Sequence, residues 1–305
     1  MKAKSTFFAL AFSALGTAAT AQNFGFGGQQ IQAQLDCSEV FTDINYAGDD
    51  NAYHTLDIYL PKEKKKKYPV VIHIYGSAWY ANNMKGAADL GTIGQALLRA
   101  GYAVVCPNHR SSGDAKFPAQ IQDIKAVVRF VRGEAKKYHL DPSFVATSGF
   151  SSGGHLASLA ATTNGVAELE GSLGKYTKKS SNVNAACDWS GPIDLRNMDC
   201  AGVRNMPNTP EEALIGVPMQ GNEDRYDAIN PITYIDPKDP PIIIFHGTAD
   251  NVVPPCQAPE FYDALRARGV KTDLNMVEGG GHGFNMYSAE NLKRMTDFLD
   301  AARGK

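Results

Sequence analysis

Apolar and polar positions along the chain change period repeatedly, and those changes lay out a series of alternating elements. Thr55 to Tyr59 alternates with a period of two, and Pro69 to Ile74 is an unbroken run of the kind a strand buried on both faces shows. Asp89 to Ala100 has the spacing of an amphipathic helix and stops at Gly101, a common helix terminator. Tyr102 to Cys106 predicts a strand. Pro118 to Glu134 then places Ile121, Ile124, Val127, Val128 and Val131 on one helical face. A short strand over Phe144–Ser148 runs into a helix over Ser152–Thr162 that is rich in small residues. Further strands are predicted at Ala185–Ser190, Pro241–His246 and Asp273–Val277, with helices over Cys256–Arg268 and Ser288–Arg303. Strands that alternate with helices predict an α/β fold with a mainly parallel central sheet flanked by helices, because parallel neighbours need crossover connections. Residues 165–228 break the pattern with polar clusters such as Asn208-Thr209-Pro210-Glu211-Glu212. So long a weakly patterned stretch in a compact domain is usually functional, and a small lid insertion is the expectation.

The ends of the chain change this picture. Lys2 and Lys4, the apolar run Phe7–Leu15 and the small residues Ala19-Thr20-Ala21 predict a cleavable signal peptide over residues 1–21. The apolar run is too short to span a bilayer, and no later one reaches the ~20 residues a spanning helix needs. Residues 22–35, rich in Gly and Gln, predict a flexible tether, and residues 36–305 a single domain. Export implies a periplasmic or secreted protein in an oxidising compartment, where disulfides form. The five cysteines leave at least one unpaired. Cys106 and Cys187 lie in apolar strands and are expected to pack as small hydrophobes. Cysteine spacing fits no zinc pattern, so no metal is expected. A formal net charge of −2 gives no reason to expect nucleic acid as a partner, and the run Lys64–Lys67 reads as a solvated loop tip.

The chemistry is concentrated at three places. Gly149-Phe150-Ser151-Ser152-Gly153 lies between a predicted strand and a predicted helix, where a nucleophilic serine on a sharp turn projects above the sheet edge. The helix starting at Ser152 aims its free N–H groups at any oxyanion that develops there. A serine hydroxyl needs a base. Of the seven histidines, only His282, in a Gly-flanked loop, lies far enough downstream for the order serine, acid, histidine. Asp250, the only carboxylate between the strand Pro241–His246 and the next helix, is the candidate acid, with the task of fixing the imidazole tautomer. His246 and His155 are expected to be packing residues. A second oxyanion donor is expected from the loop Tyr75-Gly76-Ser77-Ala78-Trp79; Ser77 and Ala78 are both candidates, with Ser77 preferred alongside Ser152. Tyr75, Gly76, Trp79 and Phe150 flank these donors as candidate substrate contacts, and Tyr80 is expected to line the site beside Trp79.

From residue 50 or so to its end the chain resembles bacterial α/β-hydrolases of the feruloyl and acetyl-xylan esterase type, close to the hormone-sensitive-lipase-like carboxylesterases. The resemblance is carried by Leu56–Pro61, Phe117–Asp123 with Ala126–Arg132, Gly149–Ala157, Asp188–Leu195, Leu214–Gly216, and by Asp250 and His282 at the family's acid and base positions. It implies an α/β-hydrolase fold and a secreted serine esterase without cofactor. Its implied substrates are acylated oligo- or polysaccharides, acetylated or feruloylated xylan among them. The chain departs from the family at Tyr75, Ser77 and Ala78, where a His and two glycines are usual, and at His109, where Tyr is expected. Two rival readings are a prolyl-oligopeptidase-like peptidase and a catalytically weak carbohydrate-binding relative.

Overall fold

The computed structural model describes residues 35–200 and 208–305. The expected signal peptide, and the expected tether up to residue 34, lie outside the described residues. Eight strands form one sheet in the order β1-β2-β4-β3-β5-β6-β7-β8. They are β1 (Cys37–Asn45), β2 (Thr55–Pro61), β3 (Tyr68–Ile74), β4 (Ala103–Pro107), β5 (Leu140–Phe150), β6 (Ala186–Trp189), β7 (Ile242–Gly247) and β8 (Thr272–Val277). β2 runs antiparallel to both β1 and β4, and every other pairing is parallel. The mainly parallel sheet read from the sequence is therefore present, with one strand added. β1 has no clear apolar alternation because most of its side chains face outward on the sheet edge.

The helices are α1 (Ile93–Arg99), α2 (Ala119–Gly133), α3 (Ser152–Thr162), α4 (Pro210–Ile215), α5 (Glu223–Asp227), α6 (Gln257–Ala267) and α7 (Ala289–Ala302). Strand residues alternate between two cores. Val70, Ile72, Ile74, Ile242 and Ile244 join residues of α2, α3 and α6, whereas Val71, Ile243 and Phe245 join residues of α1 and α7. Burial on both faces explains the unbroken apolar runs: each fully buried Val or Ile stabilises the fold by roughly 1.5–3 kcal/mol.

The stretch 165–228, expected to form a lid, is instead largely packed where it is described. It contributes β6 to the sheet, and Leu169, Val183, Leu214, Tyr226 and Ala186 are buried in the first core. Glu170 pairs with buried Lys125 (2.9 Å) and Arg129 (3.2 Å) of α2. A disulfide joins Cys200 to Cys256, just before α6, while Cys106 and Cys187 are unpaired and buried as expected.

Candidate active site

The turn between β5 and α3 holds Ser151 at φ 57°, a region that costs a non-glycine residue about 1–3 kcal/mol. Main-chain bonds hold it there: the Ser151 N–H donates to the Trp189 carbonyl (2.8 Å), and its own carbonyl accepts from His155 (3.0 Å). The flanking glycines answer a need for space. A Cβ on Gly149 would lie 2.1 Å from the Gly153 carbonyl oxygen, and one on Gly153 would lie 2.1 Å from that of Ile74. α3 thus sits against β3 and β5 at a distance only glycine permits, with its first turn at the sheet's carboxyl edge.

Loops after β7 and β8 bring the other two groups to the same edge. His282 accepts the Ser151 hydroxyl at Nε2 (2.9 Å) and faces Asp250 Oδ2 with Nδ1 (2.8 Å). Oδ1 of Asp250 accepts the amides of Val252 (2.9 Å) and Val253 (3.0 Å). Burial works against a charge on Asp250, but the hydrogen bond to His282 and the two amides outweigh it and hold its carboxyl below the usual range. An ionised Oδ2 fixes the proton on Nδ1 and leaves Nε2 as acceptor for the serine proton. The two loops are tied together: Ala249 donates to the Gly280 carbonyl (2.9 Å), and a Cβ on Gly247 would meet that oxygen at 2.1 Å. Phe150, expected to touch substrate, packs its ring against the His282 imidazole, with centroids 4.7 Å apart.

The loop after β3 closes the site from the other side. A Cβ on Gly76 would lie 2.8 Å from Cβ of Ser151, so the loop runs in direct contact with the elbow. The Ser77 amide, the preferred second oxyanion donor, is taken: it donates to the side-chain Oγ of Ser152 at 2.8 Å. Ala78 (φ 51°) and Trp79 (φ 60°) follow, both left-handed. Tyr75 and Trp79, expected at the substrate surface, are each only 2% exposed. Tyr75 stacks on His109 (4.8 Å) and donates to the Ala81 carbonyl (3.2 Å). Trp79 donates from Nε1 to His155 Nδ1 (3.2 Å), and His155 Nε2 donates to the Ile229 carbonyl (2.7 Å). Both aromatic residues shape the loop from inside. Burial pushes the His155 imidazole down to about 4, so it stays neutral.

Of the exposed apolar residues on the loops of the site, sequence reasoning named Tyr80 and missed Val252 and Phe284. Tyr80, Val252 and Phe284 are 54%, 50% and 72% exposed, among the few large hydrophobics on the described surface. They sit on the oxyanion-side, acid and histidine loops, one on each. Their signal was their proximity in sequence to Trp79, Asp250 and His282. Among the described residues, no group of three or more His, Cys, Asp or Glu is arranged to hold a metal ion, and no helix is long and apolar enough to cross a membrane.

A family model described as BD-FAE matches residues 56–265. The chain is 31% identical over 226 residues to a probable carboxylic ester hydrolase of Mycobacterium tuberculosis, LipM, covering 73% of this chain and 51% of that protein. It is 28% identical over 271 residues to the esterase LipQ of the same organism, covering 87% of this chain and 63% of that protein. It therefore spans only about half to two thirds of these relatives' lengths. A solved structure described as a truncated carbohydrate esterase from gut microbiota superposes with a TM-score of 0.87 at 46% identity, covering 90% of this chain and 99% of that one. A bifunctional GH43-CE protein of Bacteroides eggerthii gives 0.83 at 51% identity, covering 88% of this chain and 35% of that one. These likenesses and the sheet order agree in one architecture, the α/β-hydrolase fold.

Proposed function

We propose that this chain, which belongs to the BD-FAE family of hormone-sensitive-lipase-like esterases, is a serine carboxylesterase acting on acylated saccharides through an acyl-Ser151 intermediate. The observation that carries the reading is the single imidazole at 282 within hydrogen-bond reach of both Ser151 Oγ (2.9 Å) and Asp250 Oδ2 (2.8 Å). As Oγ attacks the ester carbonyl, His282 Nε2 takes its proton and Asp250 stabilises the imidazolium. The carbonyl oxygen becomes an oxyanion facing the Ser152 amide at the start of α3 and an amide of the loop after β3. Collapse breaks the bond to the leaving alkoxide, which receives the proton from His282. The same imidazole then takes a proton from water, whose hydroxide releases the acid and frees Ser151.

Two observations support a saccharide ester. The structural neighbours include a carbohydrate esterase, and the exposed apolar side chains Tyr80, Val252 and Phe284, on the loops that carry Trp79, Asp250 and His282, offer surface suited to a sugar's C–H face or an aromatic acyl group. Acetyl or feruloyl groups on xylan-type polysaccharide are the substrates of this reading, and a periplasmic or secreted setting its place. The Cys200–Cys256 disulfide supports an oxidising compartment. The test compares nitrophenyl acetate, methyl ferulate and acetylated xylan, with Ser151→Ala as control. Hydrolysis of at least one, abolished in the variant, is expected; full activity of the variant overturns the assignment of the nucleophile.

A further inference from the structure

We propose that the Ser152 side chain is a positioning group for the oxyanion site: its hydroxyl locks the loop after β3 by accepting the Ser77 N–H, and the amide of Ala78 completes the site with that of Ser152. The inference rests on the esterase reading and adds a division of labour to it. Serine at an N-cap often bonds its own helix; here the N-cap is Ser151, which makes no such bond because its hydroxyl faces His282. Ser152 instead reaches across to the loop at 2.8 Å from a position only 2% exposed. At so buried a position a hydroxyl left without a partner costs about 1–3 kcal/mol, so Ser152 holds this bond. The Ser77 N–H would have to break it before serving an oxyanion, whereas effective donors are already free and aimed when charge develops.

The backbone beyond Ser77 shows what the lock secures. Ala78 and Trp79 are consecutive left-handed residues, a strained pair that lasts only where its surroundings over-determine it. Besides the Ser152 bond, the Tyr80 N–H donates to the Ser77 carbonyl (3.0 Å) and the Ser112 N–H to the Trp79 carbonyl (2.8 Å). The Trp79 indole is held by His155 (3.2 Å). All four bonds fix the residues on either side of Ala78, and none uses its amide. Close approach of Gly76 to Ser151 holds this loop against the elbow.

Two experiments test this. Ser152→Ala is expected to lower kcat for nitrophenyl acetate about 10- to 100-fold, less than outright removal of an oxyanion donor, with KM within about twofold. Affinity for a trifluoromethyl ketone, which needs the oxyanion site, should fall by the factor seen in kcat/KM. Ser152→Thr, which keeps the hydroxyl, should restore most of both. A purely structural role would lower the melting temperature and leave kcat and ketone affinity in place. The second experiment uses the unaltered, 15N-labelled protein with Ser151 blocked by a fluorophosphonate. The Ala78 and Ser152 amide protons are expected to move downfield, and that of Ser77 to stay. A downfield move of Ser77 with Ala78 unmoved, or a Ser152→Ala enzyme as fast as the parent, overturns the proposal. If the unaltered protein neither hydrolyses esters nor takes the fluorophosphonate at Ser151, the esterase reading itself fails and takes the proposal with it.

Discussion

Gly76→Ala places one methyl group where the structure has no room for it. The backbone at 76 is not left-handed, so alanine meets no conformational penalty there. The cost is contact. The added Cβ would lie 2.7 Å from the Phe150 carbonyl oxygen, 2.8 Å from Cβ of Ser151 and 3.0 Å from Cδ1 of Phe150. Carbon pairs are comfortable at about 3.5–4.0 Å, so the loop or the elbow must give by roughly 1 Å. The Phe150 ring could swing, but it also packs against His282; the carbonyl and Ser151 Cβ belong to the strained turn itself. A displacement of about 1 Å in groups that position reactants can lower the rate ~100-fold, which is about 2.7 kcal/mol of barrier. Overpacking of this kind destabilises by about 1–3 kcal/mol, a melting shift of several degrees. Steady-state kinetics on nitrophenyl acetate with calorimetry on the same samples provide the assay. A variant within threefold of the parent in kcat and unchanged in melting temperature would refute the view that loop and elbow fix one another.

Three further outcomes are expected. In Asp250→Asn, the two amides on Oδ1 will claim the carboxamide oxygen and turn its NH2 toward His282, forcing the proton onto Nε2. kcat for nitrophenyl acetate should then fall by about 10³–10⁴, and a loss under tenfold would contradict the tautomer assignment. His155 is held near 4 when folded, against an ordinary histidine value near 6.5. The unfolded chain therefore binds a proton that the folded one refuses, and stability contributed by neutral His155 is lost as pH falls from about 6.5 to about 4, by about 3 kcal/mol in all. Urea midpoints should drop across that window, and His155→Gln, if it keeps the bonds to Trp79 and Ile229, should flatten the slope; an equal slope in both proteins counts against it. Tyr80→Ala and Phe284→Ala should lower kcat/KM about tenfold more for acetylated xylo-oligosaccharides than for nitrophenyl acetate, since covering an aromatic side chain with a sugar's apolar face is worth roughly 1.5 kcal/mol. An unchanged ratio of the two substrates would remove both residues from the saccharide reading.

Legibility in the sequence followed burial. Strands covered on both faces, such as β3 and β7, announce themselves as apolar runs, and all seven predicted strands occur in the sheet. β1 is exposed along most of its length, so no period marks it. The three side chains that meet at 151, 250 and 282 could be read because their order and their glycine surroundings are local. Tyr75 and Trp79 could not, since an aromatic residue beside a site reads the same whether its ring points out to substrate or in toward His109 and His155. Nor could the side-chain bond of Ser152: it depends on a loop 75 residues away. The stretch 165–228 looked loose because its anchors, among them Glu170 on Lys125 and Cys200 on Cys256, join partners distant in sequence.

Three histidines stand close to the elbow, and the environment of each leaves only one of them able to carry protons. His155 has both ring nitrogens engaged, receiving from Trp79 and donating to the Ile229 carbonyl, and it is fully buried. His246 is as buried; its Nε2 faces the Val253 carbonyl at 3.0 Å and lies 3.5 Å from Asp250 Oδ2. Burial lowers its affinity for a proton, more than the nearby carboxylate restores. With its Nε2 proton turned to a main-chain oxygen, it braces the acid loop through Val253, whose amide in turn holds Asp250. His282 differs in the features a base requires. Its side chain is 14% exposed, Asp250 receives its Nδ1 proton, and its Nε2 faces a hydroxyl instead of a carbonyl. A carbonyl can only accept, so a ring nitrogen bound to one is locked as a donor; a hydroxyl can give its proton up. The identity of the group at Nε2, more than proximity to the carboxylate, therefore separates the base from its two neighbours.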